Sequence, residues 1–188
     1  MGKQDATNPL SATFSYPRGL AFGPDGALYV ADTGNDAIRR IDSAGVTTVA
    51  QDQNEISAVA VGPDGTVYAL GGGRVSIVKN GALVPIVNVA GIPGDQAGPG
   101  ADAQLRPSDG ILIDGDSLIV SDTQNYKVRR VALSADHTVT TLVGDGRGGA
   151  ELGTGGTAHV VNPRGLALTP SGYLVADSGN NRVLRIQR

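Results

Sequence analysis

The chain has 188 residues and a net charge of −3, with 40% hydrophobic but only 4% aromatic residues, and its pI is near 5.2. This charge balance argues against nucleic acid and anionic membranes as partners, and no apolar run reaches the ~18 residues of a membrane-spanning helix. The absence of cysteine excludes disulfides and thiolate metal sites, while 28 glycines and 10 prolines suit a chain that turns every few residues.

The first recognisable unit opens with Tyr16-Pro-Arg-Gly19 and runs into the apolar Gly19-Leu-Ala-Phe22. Gly23-Pro-Asp-Gly26 follows as a turn, because Pro presets φ and Gly accepts positive φ. Ala27-Leu-Tyr-Val-Ala31 reads as a strand of β-formers, and Asp32-Thr-Gly-Asn35 as the next turn. Ala37-Ile-Arg-Arg-Ile41 and Val46-Thr-Thr-Val49 supply a third and a fourth strand. The unit then recurs. A degenerate copy, Ser57-Ala-Val-Ala-Val-Gly-Pro-Asp-Gly65, comes first, with Ala69-Leu-Gly-Gly-Gly73 in place of the Asp-x-x-Asn turn. A third copy opens at Arg106-Pro-Ser-Asp-Gly110 and a fourth at Asn162-Pro-Arg-Gly165. Aligning Gly19, Ala58, Gly110 and Gly165 gives spacings of 39, 52 and 55 residues, the extra length lying in two Gly-rich connections. Repetition at this period marks an array of small identical units. Four short antiparallel strands per unit predict an all-β fold, a β-propeller of four-stranded blades. The expected domain is a single propeller segment over 1–188, with blades at 16–50, 56–87, 106–143 and 162–188.

The Pro-x-Gly opening, the Gly-Pro-Asp-Gly turn, the Tyr-Val-Ala-Asp-x-x-Asn centre and the Arg-Arg strand together resemble the NHL repeat family. The connection Ala90-Gly-Ile-Pro-Gly-Asp95 and the segment leading to Leu105 resemble that family's inter-blade loop. The resemblance implies a propeller ring, usually of six blades, within the roughly four to eight that propellers span. Four blades therefore suggest part of a larger ring, a homodimer that completes one, or lone closure with Leu10-Ser-Ala-Thr-Phe14 as the missing edge. Of these, segment or assembly is the preferred expectation.

Function is expected to reside on the rim loops, with a protein or peptide as partner and no catalysis. Arg18 and Arg164, each in Pro-Arg-Gly, occupy equivalent places at the start of inner strands; with Arg106 and Ser108 they are the candidate ligand contacts. Asp32, Asn35, Asp122, Asn125, Asp177 and Asn180 recur once per strong copy and are read as structural turn residues rather than a carboxylate ring for a cation. Arg39, Arg40, Arg129, Arg130, Arg182 and Arg185 form a stripe expected to be a solvated face. It is the basis of an alternative reading as a single-stranded RNA surface. The family resemblance also implies an enzymatic alternative, a lactonase or lyase whose metal is held by several channel-facing side chains. His137 and His159, the two histidines, lie in non-equivalent loops and do not suggest that set, and no metal or cofactor is expected. The run Gly144-Asp-Gly-Arg-Gly-Gly149 lacks the Lys-Ser/Thr ending of a phosphate loop. An excised or engineered segment without its own ligand is the remaining alternative, and the compartment is left open.

Overall fold

Turn chemistry divides the chain into fifteen strands among the residues described by the computed structural model, 2–51 and 55–187. Met1 and Arg188, the outer bounds of the expected segment, lie outside the described residues. The first meander is β1 (Pro17–Phe22), β2 (Leu28–Asp32), β3 (Ala37–Asp42) and β4 (Gly45–Gln51). The second is β5 (Ile56–Val61), β6 (Val67–Gly71), β7 (Arg74–Lys79) and β8 (Ala82–Val87). The third is β9 (Gly110–Asp114), β10 (Ser117–Asp122), β11 (Lys127–Ala132) and β12 (Val139–Val143). β13 (Pro163–Thr169), β14 (Gly172–Asp177) and β15 (Arg182–Gln187) make the last, three-stranded sheet. Within each meander, successive strands pair antiparallel. No α-helix occurs among the described residues.

First strands pack side by side, β1 on β5, β5 on β9 and β9 on β13. The meanders thus fan outward from a common inner edge, which is the propeller arrangement. Apolar side chains fill each gap between neighbouring faces. Tyr29, Ala31 and Ile38 of the first meander meet Val59, Val61 and Val67 of the second. Tyr68 and Leu70 of the second meet Leu118 and Val120 of the third, sealed by Ala103 and Leu105 from the connection between them. Ile119 and Val128 of the third meet Tyr173 and Val175 of the last. With few aromatics, the interior is filled by aliphatic side chains at alternate strand positions.

The degenerate second copy turns differently from the others. β6 and β7 are joined by Gly72 and Gly73 alone, with φ of 55° and 75°. Two successive positive φ values are what a two-residue hairpin needs, and only glycine adopts them without strain. In the other copies the Asp-x-x-Asn segment forms a short 3-10 turn closed by a left-handed residue, Asp36, Tyr126 or Asn181. The segment at Leu10–Phe14 does not pair with the last sheet: Leu10 is exposed in a 3-10 turn, and β15 pairs with β14 alone among the described strands. The chain before β1 lies instead on the first meander, where Ala6 bridges Val46.

Candidate functional site

Two sets of repeated polar residues occupy different places. The first is internal. In the third meander the Asp122 carboxylate accepts from Asn125 Nδ2 at 3.1 and 2.9 Å, the Arg106 N–H at 3.1 Å and Arg129 Nε at 3.0 Å. Asn125 Nδ2 also donates to the Gly94 carbonyl at 2.6 Å, and Arg129 Nη2 to the Asp95 carbonyl at 3.0 Å and to its carboxylate. The first copy repeats the pattern with Asp32, Asn35 and Arg39, holding Gly2, Gln4 and Asp5. The fourth repeats it with Asp177, Asn180 and Arg182, holding Gly149, Ala150 and His159. Each set ties the preceding connection onto its own meander. Their hydrogen-bonding capacity is spent internally, as buried charge requires.

The arginine stripe is therefore a solvated face only in part: Arg185 is exposed, and Arg40, Arg130 and Arg182 are half-buried. Arg39 and Arg129 are buried, because the connection folds over the third strand and supplies carbonyl and carboxylate acceptors. Arg40 pairs with Asp25 at 2.8 Å and with Asp42. Burial pushes the Asp122 carboxyl above its ordinary range, opposed by Asn125, the Arg106 N–H and Arg129.

The second set lines the inner rim. Counting back one residue from the aligned Gly19, Ala58, Gly110 and Gly165 gives Arg18, Ser57, Asp109 and Arg164, one from each meander. Three of them meet. Arg18 Nη1 lies 3.7 Å from Asp109 Oδ1, and Arg164 Nε lies 3.6 Å from Asp109 Oδ2. The pairing of β1 with β2, and of β13 with β14, slips at Pro-Arg-Gly. Such bulges re-aim a side chain, and here each arginine turns toward the rim. The cleft they share is about 340 Å³ and is also lined by Glu55, Ser57, Ser108 and Asn162.

Among the expected contacts, Arg18, Arg164 and Ser108 line this cleft and Arg106 does not. Ser108 is buried and its Oγ donates to the Arg106 carbonyl at 2.6 Å. Asp109, which organises the rim, is absent from the residues picked out by sequence. Its signal was the register itself: it stands where the first and fourth copies have arginine. A larger hollow of about 500 Å³ lies between Leu142 of β12 and Leu184 and Ile186 of β15. It follows the unpaired edge of β15 and is a gap beside a strand edge. His159 borders that hollow, between Glu151 at 2.6 Å and Asp145 at 3.3 Å. The Glu151 hydrogen bond, with help from Asp145 and against burial, raises the His159 pKa above its ordinary value. Among the described residues no group of three or more His, Asp or Glu side chains is placed to hold a metal ion.

Residues 14–41, covering the end of the first connection and the first three strands, match the NHL repeat. The chain is 27% identical over 183 residues to Protein SUPPRESSOR OF QUENCHING 1, chloroplastic, of Arabidopsis thaliana, covering 96% of this chain and 15% of that protein. It is 28% identical to NHL repeat-containing protein 2 of Bos taurus, covering 93% and 21%. It thus spans a minor part of either relative. Its fold is similar to that of an auxiliary nutrient binding protein from Bacteroides ovatus, with a TM-score of 0.74 at 18% identity over 92% of this chain and 48% of that one. It is also similar to virginiamycin B lyase from Staphylococcus aureus, with a TM-score of 0.59 at 16% identity over 97% and 58%.

Proposed function

Because this chain is an NHL-repeat β-propeller protein, we propose that it is a non-catalytic recognition module binding a protein or peptide ligand at its inner rim. In this reading Arg18 and Arg164 receive a ligand carboxylate, and Asp109 holds the two guanidinium groups apart and oriented. The carrying observation is their incomplete pairing. The arginine side chains are 54% and 59% exposed, and their distances to Asp109 exceed hydrogen-bond length. Arg39 and Arg129, by contrast, are saturated with acceptors. A planar guanidinium with free donors suits bidentate carboxylate binding, and Glu55 and Asn162 at the cleft edge favour a ligand with polar backbone groups nearby.

The test is fluorescence anisotropy with an array of short extended peptides, acidic and amide-matched, against wild type and an Arg18→Ala/Arg164→Ala variant. A charge-assisted hydrogen bond contributes about 1.5–3 kcal/mol, so acidic peptides are expected to lose affinity by well over tenfold in the variant. Equal affinity for acidic and amide peptides, or for wild type and variant, contradicts the reading.

A further inference from the structure

Each inner strand is entered through one residue, three before the aligned Gly19, Ala58, Gly110 and Gly165: Tyr16, Glu55, Pro107 and Asn162. In three copies that residue is left-handed, with φ of 47° at Tyr16, 46° at Glu55 and 48° at Asn162. The strand register slips just after it each time, between Pro17 and Leu20, Ile56 and Ala58, and Pro163 and Leu166. Asparagine accepts that backbone readily, whereas tyrosine and glutamate adopt it only with strain. The turn alone therefore does not explain a glutamate here. Nor is its carboxylate used within the chain: Glu55 has no side-chain hydrogen bond or ion pair among the described residues. It is exposed although the second meander has a neighbour on each face. Its exposure thus belongs to the rim and not to an end of the array.

The polar groups of the cleft divide into those already occupied and those left over. Ser57 Oγ sits 3.1 Å from the Leu70 carbonyl and 2.6 Å from the Ser108 carbonyl. Thr123 Oγ1 donates to the Pro163 carbonyl at 2.8 Å and accepts from the Asp109 N–H at 3.2 Å. Two guanidinium groups, Arg18 and Arg164, against the single Asp109 carboxylate leave one positive charge unbalanced. Glu55 places one negative charge in the same lining, where among the described residues only Pro107 has an apolar side chain. At about 340 Å³ the cleft lies at the lower end of the roughly 300–1,000 Å³ of ligand sites, which suits a small zwitterion or a short peptide segment.

We propose, on the basis of the carboxylate reading of Arg18 and Arg164, that the cleft takes a ligand carrying an ammonium beside its carboxylate, with Glu55 as the ammonium acceptor. A charge-assisted hydrogen bond from the ammonium to Glu55 complements the guanidinium contacts to the carboxylate. The strained backbone at Glu55 then serves to hold a carboxylate at the rim, as strained residues at binding sites do.

Isothermal titration calorimetry of the 188-residue chain with three amidated tripeptides tests it: Glu-Ala-Ala with a free amino terminus, its N-acetylated form, and N-acetylated Lys-Glu-Ala. The free-amine peptide is expected to bind about three- to tenfold more tightly than its acetylated form, between the effect of a surface ion pair and that of a charge-assisted hydrogen bond. Glu55→Gln is expected to abolish that preference and leave the acetylated peptide unchanged. Glu55→Asn, which fits the left-handed backbone, is expected to raise the urea midpoint while losing the same preference. A lysine peptide that binds like the free-amine one supports a side-chain ammonium, and one that binds like the acetylated form supports a chain terminus. Equal binding of free and acetylated peptides, or a preference that persists in Glu55→Gln, overturns the proposal. The carboxylate reading survives that result if Arg18→Ala/Arg164→Ala still weakens both peptides, and falls with it if that variant binds them as wild type does. Absence of binding by every peptide overturns both.

Discussion

The third and fourth meanders share the Asp-x-x-Asn turn, Asp122–Asn125 and Asp177–Asn180, each tied by an arginine, Arg129 seven residues after its Asp and Arg182 five residues after its own, yet they are differently buried. Asp122 and Asp177 are both fully buried. Away from that carboxylate the two sheets diverge. Ile119 is inaccessible while Leu174, at the equivalent place, is 37% exposed; Val128 is inaccessible while Val183 stands in solvent. Among the described residues the third sheet has a neighbour on each face and the fourth has one. Local sequence sets the strand, the turn and the Asp-Asn-Arg tie, and the neighbour decides how much of the sheet is interior. In a repeat array, stability is a sum of units and interfaces, so equivalent residues are not expected to contribute equally.

Removing the arginine of each tie gives the largest separation. Arg129→Ala leaves Asp122 buried without its cation, which costs about 3–5 kcal/mol for a broken buried pair. Arg182 has a side chain 25% exposed, and water can take its place beside Asp177, so Arg182→Ala is expected to cost about 1–3 kcal/mol. Urea unfolding of both variants checks this; a larger loss for Arg182→Ala would reverse the ranking of the two meanders.

A smaller effect distinguishes the two connections. The one before the third meander is held by Asp95 against Lys127 at 2.6 Å and Arg129, cations that keep their charge at neutral pH. The one before the fourth, besides its tie to Asp177, Asn180 and Arg182, is cross-linked within itself by His159 between Glu151 and Asp145. Since the folded pKa of His159 is raised, its hold is fully present below about 6.5, the ordinary histidine value, and is lost as pH rises through the raised folded value. NMR titration is expected to place His159 above that ordinary value and to bring it down in Glu151→Gln. Titration of His159 at or below the ordinary value contradicts the assignment.

Much of this architecture is legible in the sequence because turn chemistry is local. Gly23-Pro-Asp-Gly26 and its repeats announce strand ends, and the recurring motif announces the array. The internal tie was half legible: Asp32, Asp122 and Asp177 read as turn residues, but their arginine partners read as surface. Strand alternation cannot show that a connection thirty residues upstream folds over Arg129 and brings Asp95 to it. The rim shows the opposite case. Arg18 and Arg164 stand out as identical residues in identical contexts, whereas Asp109 is a departure from the motif, and only the aligned register reveals that it faces them.

The most direct test of the account is a paired truncation, Ile119→Ala against Leu174→Ala, measured by urea unfolding at a protein concentration low enough to exclude association. Emptying a fully enclosed site costs about 2–5 kcal/mol, whereas a half-open surface site costs less than about 1 kcal/mol. The account predicts that separation. Equal losses at the two positions would mean that burial does not follow place in the array, and would contradict it.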